Sequence, residues 1–341
     1  MDRHEEPLCI AILGAGSIGC YLGGCLLATD ANKHCNVTFI GRQRLQDDVR
    51  QHGLTMTDWR GRDQHVDSQH IHFTCENDAL ADADFILLCV KSQDTQSAAA
   101  IIKQYASDNA IVVSFQNGVT NGAVLSELLS QQVIKGMVPF NVFYQGKGHF
   151  HCGTEGNLAI QDANKQCSSL VSCFNSASLP ITVYDNISNV QYGKLIMNLN
   201  NAVNALSGIP LKEQLSNREY RKVIASALNE ALTVLSAEGI EPARTGKVIP
   251  KLMPKIMALP NFLFNIVAAS TLKIDPQARS SMYEDLVLGR PTEIDYLNGE
   301  IDRLGKKHGI ATPVNTNIVA LIKQAELDEK GSPMLSPSQL L

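Results

Sequence analysis

Short apolar runs alternate with amphipathic stretches up to about residue 186, strand signals stop after that point, and the chain opens on a G-x-G-x-x-G turn. Together these predict an α/β amino-terminal domain of the Rossmann, dinucleotide-binding type followed by an all-α carboxy-terminal domain. A length of 341 residues exceeds the usual size of one domain, so two cores are expected. The boundaries read as 1–186 for the Rossmann-type domain, 187–328 for the helical domain and 329–341 for a loose tail.

The elements follow in order. CIAIL (9–13), NVTFI (36–40), DFILLCV (84–90), AIVVSF (110–115) and VIKGMVPFNVF (133–143) are candidate strands, with amphipathic segments between most of them. Such alternation implies βαβ units and a largely parallel sheet. Residues 54–74 are polar and irregular, which suggests a small hairpin insertion. HFHCGTEGNLAI (149–160), set among Gly148, Gly153 and Gly156, reads as an antiparallel closure of the sheet's far edge. In the second half Pro242, Pro250, Pro254, Pro260 and Pro276 break the chain into short helices. The final GSPMLSPSQLL has turn composition and no period.

Composition narrows the function classes. With 44% hydrophobic and 18% charged residues the chain is globular rather than disordered. A net charge of -5 offers no basic footprint for nucleic acid or an anionic membrane. The nine cysteines are odd in number, form no C-x-x-C and mostly sit in apolar segments, as reduced core residues of a cytosolic protein do. The opening MDRHEEP is acidic and leads into a strand rather than a signal peptide, and no apolar run is long enough to span a bilayer, so a cytoplasmic location is expected. His70-x-His72 and His149-x-His151 each place two imidazoles on one strand face without a third ligand at plausible spacing, so no metal is expected.

In Gly14-Ala15-Gly16-Ser17-Ile18-Gly19 each glycine has a mechanical reason. The first permits a tight turn, the second a close approach of backbone to pyrophosphate, and the third close packing of helix on strand, while the helix start offers N–H groups to the phosphates. The helix that follows carries Leu22, Leu26 and Leu27 on one face. The alternative is a glycine-rich turn with no ligand. The second strand ends in Gly41-Arg42, where an NAD-binding chain usually carries Asp or Glu; an arginine suits a 2′-phosphate and therefore NADPH. Arg44 stands close enough to share the task, and the alternative is that Arg42 is a solvated helix-start residue.

Two stretches of the second half carry candidate chemistry. In NVQYGKLIMNLNNAVNALSG (189–208), Leu195, Leu199, Ala202 and Leu206 form an apolar stripe, and Lys194, Asn198 and Asn201 fall on a separate narrow face. A cation and two amides in line suit a polar ligand, and a lysine can protonate a carbonyl oxygen as hydride arrives at carbon. The competing reading is an ordinary exposed polar face. Further on, Ile294, Leu297, Ile301 and Leu304 mark a helix whose first turn carries Glu293 and Asp295, and Gly309 and Pro313 end it. Taken alone, Glu293 reads as a charge that favours its own helix dipole.

The order G-A-G-S-I-G, V-K at Val90-Lys91, N-G at Asn117-Gly118, K-L-x-x-N from Lys194 to Asn198, and S-M followed by T-E-I-D-Y between Ser281 and Tyr296 resembles the ketopantoate reductase (2-dehydropantoate 2-reductase) family, from about Cys9 to Lys323. The twelve-residue step from Ser281 to Glu293 fits as well. The resemblance implies NADPH-dependent reduction of 2-dehydropantoate to (R)-pantoate, a step of pantothenate and coenzyme A synthesis, with the helical domain carrying substrate and catalysis. Lys194 is similar to the family's general acid and Glu293 to its acidic partner, which places Lys194 and the substrate or ribose hydroxyls. Asn198 resembles the amide that holds substrate oxygens, and Ser281 the hydroxyl that meets the carboxylate; Asn201 extends the same face. Lys91 and Asn117 resemble residues approaching the nicotinamide ribose, with Asn117 also toward substrate and Asn141 in the same crevice. Amphipathic helices in the second half are compatible with a homodimer.

Two positions depart from the pattern. Ala202 stands eight residues after the lysine where the family has an asparagine, with Asn200, Asn201 and Asn204 nearby, and Lys212 replaces a further substrate-binding asparagine. These keep open a reductase of another branched 2-keto acid. A nucleotide-sensing protein that binds without catalysis is the alternative from another class, and the joint presence of Lys194, Asn198 and Glu293 speaks against it.

Overall fold

The computed structural model describes residues 7–29, 35–244, 248–268 and 277–341. The chain forms two compact units, Met1–Ile187 and Ser188–Leu341. The acidic opening over residues 1–6 and Pro276 lie outside the described residues.

The first unit begins β1 (Leu8–Leu13), α1 (Ser17–Leu27), β2 (Cys35–Ile40), α2 (Gln43–His52), β3 (Leu54–Asp58), β4 (Asp63–Val66) and β5 (His72–Thr74). It continues β6 (Phe85–Leu88), α3 (Thr95–Tyr105), β7 (Ile111–Ser114), α4 (Asn121–Leu128) and β8 (Gln132–Met137). It ends with β9 (Val142–Gly146), β10 (His149–Cys152), β11 (Leu158–Gln161), α5 (Ser168–Ser176) and β12 (Ile181–Tyr184). Eight strands form one sheet in the order β12-β11-β8-β7-β6-β1-β2-β5. All its pairings are parallel except β8 with β11.

The strands are continuous apolar runs because both faces of the sheet are covered. Side chains alternate along β1: Ile10 and Ile12 enter one core with Leu22, Leu26 and Phe39. Ala11 and Leu13 enter a second core with Ile86, Ile102 and Leu125. Helix α1 is buried all round, every residue from Gly19 to Leu27, because a second sheet, β4-β3-β10-β9, lies on its other side. Two of its glycines show the double contact. A Cβ on Gly23 would strike Ile12 and Phe39 of the main sheet, and one on Gly24 would strike Met56 of β3. All nine cysteines carry free thiols, six of them buried, and burial pushes the Cys25 and Cys167 thiols up to about 12.

Three local expectations change. Residues 54–66 do form a hairpin, but His72–Thr74 leaves it and joins the main sheet as a parallel edge beside β2. The run 133–143 is not one strand: it breaks at Val138–Asn141, around Pro139, into β8 of the main sheet and β9 of the second, since proline cannot donate a ladder bond. The stretch 149–160 divides likewise, β10 pairing with β9 and β3, and β11 with β8. The far edge is β12, parallel to β11.

The second unit is helical among its described residues: α6 (Ser188–Asn198), α7 (Asn200–Ser207), α8 (Leu211–Ser216), α9 (Arg218–Ala237) and α10 (Met253–Met257). Then come α11 (Asn261–Val267), α12 (Ser281–Val287), α13 (Asn298–His308), α14 (Pro313–Asp328) and α15 (Pro337–Leu340). The central α9 buries Val223, Ala227, Leu228, Ala231 and Leu235. It also supplies the Glu230 carboxylate that accepts from the backbone N–H groups of Val314 and Asn315 at 2.9 and 3.0 Å, stabilising the amino end of α14.

The expected loose tail is docked instead. The Leu335 amide donates to the Leu206 carbonyl at 2.8 Å, and the Tyr220 hydroxyl donates to the Leu335 carbonyl at 2.8 Å. Leu340 is fully buried, and Ser336 with Gln339 forms a capping box on α15. Turn-rich composition conceals this because one leucine and a few backbone bonds, rather than a periodic face, hold the segment. Among the described residues, no helix is long and apolar enough to cross a membrane.

Candidate active site

In the first unit the strand order reverses beside β1: the chain fills β2 and β5 on one side, then returns to β6, β7 and β8 on the other. Open α/β sheets take ligands at the carboxyl ends of strands at such a reversal. The register Leu13↔Ile40, Leu13↔Leu88 and Leu88↔Ser114 sets four strand ends side by side. Beyond them lie the glycine turn, Gly41-Arg42, Val90-Lys91 and Asn117.

The three glycines separate by role. Gly14 has φ +91°, a left-handed value that disfavours a side chain, and its Cβ would sit 2.7 Å from the Val90 nitrogen. Gly14 and Ala15 donate their N–H groups to the Ile40 carbonyl at 3.1 and 3.0 Å, which closes the turn onto β2. Gly16 is exposed and faces open space, the nearest atom to a Cβ being Gly14 O at 4.0 Å. At Gly19 a Cβ would meet Ile12 at 2.8 Å and Gly14 O at 2.9 Å. Among the described residues, α1 has neither a side-chain cap nor an acid in its first turn at Ser17-Ile18-Gly19, so a partial positive charge stands over the space at Gly16. A pyrophosphate fits that space and that charge. Gly16→Val is therefore expected to leave the melting temperature nearly unchanged and to remove dinucleotide binding, whereas Gly19→Ala should lower both; calorimetry and cofactor titration on the two variants check it.

Arg42 occupies the N-cap position of α2 and is exposed, as is Arg44. Gly41 backs onto the glycine turn, its Cβ position 3.0 Å from that of Ala15, so Arg42 leaves the strand beside the turn. Lys91 and Asn117 are half-buried and rest on a buried polar network that sequence reasoning missed. Gln116 Nε2 donates to Thr95 Oγ1 at 2.8 Å and to the Lys91 carbonyl at 3.4 Å. Asn121 Nδ2 donates to Ser92 Oγ at 3.1 Å and also to the Asn117 carbonyl, which accepts from Ser92 Oγ at 2.8 Å. Polar residues on both sides of Asn117-Gly118, directly after an apolar strand, were the available signal. Asn141 lies exposed ahead of β9, its N–H donating to Thr154 Oγ1 at 2.9 Å.

In the second unit, Lys194, Asn198 and Asn201 are half-buried while Tyr192, Leu195, Ile196 and Leu199 beside them are buried. α6 ends at Asn198 and α7 starts at Asn200, but Leu199 keeps helical dihedrals and its N–H donates to the Leu195 carbonyl at 3.1 Å, so the face continues through the break. Burial pulls the Lys194 ammonium down to about 8, against the opposing pull of the Glu293 carboxylate. Glu293 is not in the first turn of a long helix, as its spacing suggested. It precedes a single 3₁₀ turn, Ile294–Tyr296, and α13 begins only at Asn298 with Glu300 in its first turn. The dipole reading of Glu293 therefore loses its basis.

The true first-turn acid, Glu300, is buried and accepts from the Tyr192 hydroxyl at 2.9 Å and from Arg303 at 2.7 and 2.8 Å. This ties α6, two residues from Lys194, to α13. Ser281 is exposed at the first position of α12, and Lys212 is exposed on α8. Ala202, the departure from the pattern, is fully buried. Among the described residues no group of three or more His, Cys, Asp or Glu is arranged to hold a metal ion. His149 and His151 instead share the Thr57 hydroxyl, each at 2.8 Å.

Residues 10–165 match the family described as ketopantoate reductase PanE/ApbA, and residues 186–326 match its C-terminal domain. The chain is 27% identical over 326 residues to a 2-dehydropantoate 2-reductase of Halobacterium salinarum, covering 94% of this chain and 99% of the relative. A crystal structure of a PanE/ApbA family ketopantoate reductase from Ralstonia eutropha is 30% identical, with a TM-score of 0.79 over 95% of this chain and all of that one. D-mandelate dehydrogenase, solved with NADH and anilino(oxo)acetate, shares the fold at 22% identity, with a TM-score of 0.75 over 94% of this chain and 99% of that one. The two matches together span both units and most of the chain, and the relatives cover nearly its whole length: the chain belongs to the ketopantoate reductase family.

Proposed function

We propose that the protein catalyses NADPH-dependent reduction of 2-dehydropantoate to (R)-pantoate, a step of pantothenate and coenzyme A synthesis. The observation that carries this is Lys194, a lysine held near pKa 8 by burial beside Glu293, with the amides of Asn198 and Asn201 on the same helix face. When bound, the nicotinamide supplies the hydride to C2. The turn from Gly14 to Gly19 holds the pyrophosphate, and Arg42 the 2′-phosphate. Lys91, Asn117 and Asn141 approach the nicotinamide ribose. Asn117, Asn198, Asn201 and Ser281 hold the substrate oxygens, and Glu293 orients Lys194 and the ribose or substrate hydroxyls. Lys194 gives its proton to the C2 oxygen, so that ketone, hydride and proton yield the alcohol and NADP+. NADPH oxidation with and without ketopantoate tests the proposal.

A cytoplasmic location and a homodimer complete the assignment, with residues 187–328 as the substrate and catalytic domain. A second reading, reduction of another branched 2-keto acid, is favoured by buried Ala202 and by Lys212 at positions where the family carries asparagine. Turnover across a series of 2-keto acids separates the two.

Cofactor preference has its own expected result. Charge-assisted hydrogen bonds are worth roughly 1.5–3 kcal/mol each, so Arg42→Ala should weaken NADPH about ten- to a hundredfold and leave NADH nearly unchanged. Equal losses for both cofactors would contradict the assignment of Arg42.

A further inference from the structure

A buried chain of amides lies behind the proposed substrate contacts of the second unit. Asn204 and Gln214 are both fully buried. Asn204 Nδ2 donates to Gln214 Oε1 at 3.1 Å and to the Ile209 carbonyl at 3.0 Å, and Gln214 Nε2 donates to Asn200 Oδ1 at 3.1 Å. Asn204 Oδ1 accepts from the Ser280 N–H at 2.8 Å. Ser280, also buried, donates from Oγ to the Asn201 carbonyl at 2.9 Å and caps α12 by accepting from the Tyr283 N–H at 3.2 Å. The bonds run from α8 through α7 to the amino end of α12, and every side-chain polar atom of Asn204 and Gln214 is used.

Asn201 and Ser281 are proposed substrate contacts, and the chain grips the Asn201 peptide and the residue next to Ser281. Apolar packing would join three helices without fixing their register, whereas a fully paired buried network permits one arrangement. The position also explains an unassigned asparagine: Asn204 is spent inside the helix packing and does not substitute for the amide missing at Ala202, while half-buried Asn200 gives its Oδ1 to the same network.

We propose that Asn204 is a positioning residue for 2-keto acid binding: through Ser280 it fixes the Ser281 hydroxyl and the Asn201 peptide, so that substrate KM depends on it and cofactor affinity does not. This rests on the reductase activity proposed above. Asn204→Leu, which keeps the branched shape and removes the polar atoms, should raise the KM for ketopantoate about tenfold or more, with kcat within about threefold and NADPH Kd unchanged. Ser280→Ala should do the same and Ser280→Thr, which keeps the hydroxyl, should restore KM; this pair decides the matter if Asn204→Leu does not fold.

Amide exchange at Ser281–Tyr283 supplies a readout that does not need turnover. It should quicken about tenfold or more in Asn204→Leu and Ser280→Ala, with α9 unaffected. Unchanged KM in the active variants, or unchanged exchange, overturns the proposal. A wild-type protein inactive on ketopantoate removes the assigned substrate instead, and exchange then decides the positioning role.

Discussion

Lys194→Ala is expected to lower kcat for ketopantoate reduction by about 10²–10⁴-fold, the usual contribution of a positioned general acid, with dinucleotide affinity nearly unchanged. Hydride addition to a ketone leaves an alkoxide, and the proposed role of Lys194 is to quench it. Only the ammonium form donates, so with a pKa of about 8 the wild-type reduction rate should fall as pH rises through that value. The variant should lose this limb. Glu293 raises the lysine pKa, so Glu293→Ala should move the limb to lower pH and should impair both kcat and KM. The double variant should lose less than the two single losses combined, since the groups act as a unit. Near-normal kcat in Lys194→Ala, measured by steady-state kinetics beside cofactor titration, would overturn the general-acid role.

Arg221→Met should destabilise the second unit by about 3–5 kcal/mol, the range seen when a buried, hydrogen-bonded charge site is broken. Arg221 is fully buried. It donates to the carbonyls of Leu215, Met257 and Leu259 at 2.8, 3.1 and 2.7 Å and to Asn261 Oδ1 at 3.0 Å, and its guanidinium lies 4.0 Å from the centre of the Phe264 ring. The carbonyls belong to the ends of α8 and α10, where unpaired oxygens concentrate negative charge. Methionine keeps the volume and leaves the oxygens unpaired. Arg221→Lys should recover only part, because an ammonium cannot span the same fork. Thermal unfolding checks both variants, and an unchanged melting temperature for Arg221→Met would refute the account.

What the sequence made legible divides by range. Strands β1, β2, β6 and β7 stand out because a strand covered on both faces is an apolar run, and the glycine turn because each glycine has a local steric reason. The second sheet does not, since β3 pairs with β10 across a long stretch of chain and neither strand is distinctive alone. Lys194 and Glu293 each have a bland local explanation, and only the order of motifs links them. Asn204, Gln214 and Arg221 are polar residues on helices, which sequence reads as surface; their burial is decided by neighbours distant in the chain. The docked Leu340 escapes notice for the same reason.

A lysine with a pKa near 8 also carries a chemical liability. Near that pH a large fraction of Lys194 is an uncharged amine, and a ketone held against an amine condenses to an imine with loss of water. For a 2-keto acid reductase that adduct would be a dead end. By raising the lysine pKa, Glu293 keeps more of it protonated, which under the proposed role of Lys194 would limit that adduct. Incubation with ketopantoate and sodium borohydride should accordingly attach the reduced keto acid to Lys194 faster in Glu293→Gln than in wild type, and the mass shift on the Lys194 peptide would record it.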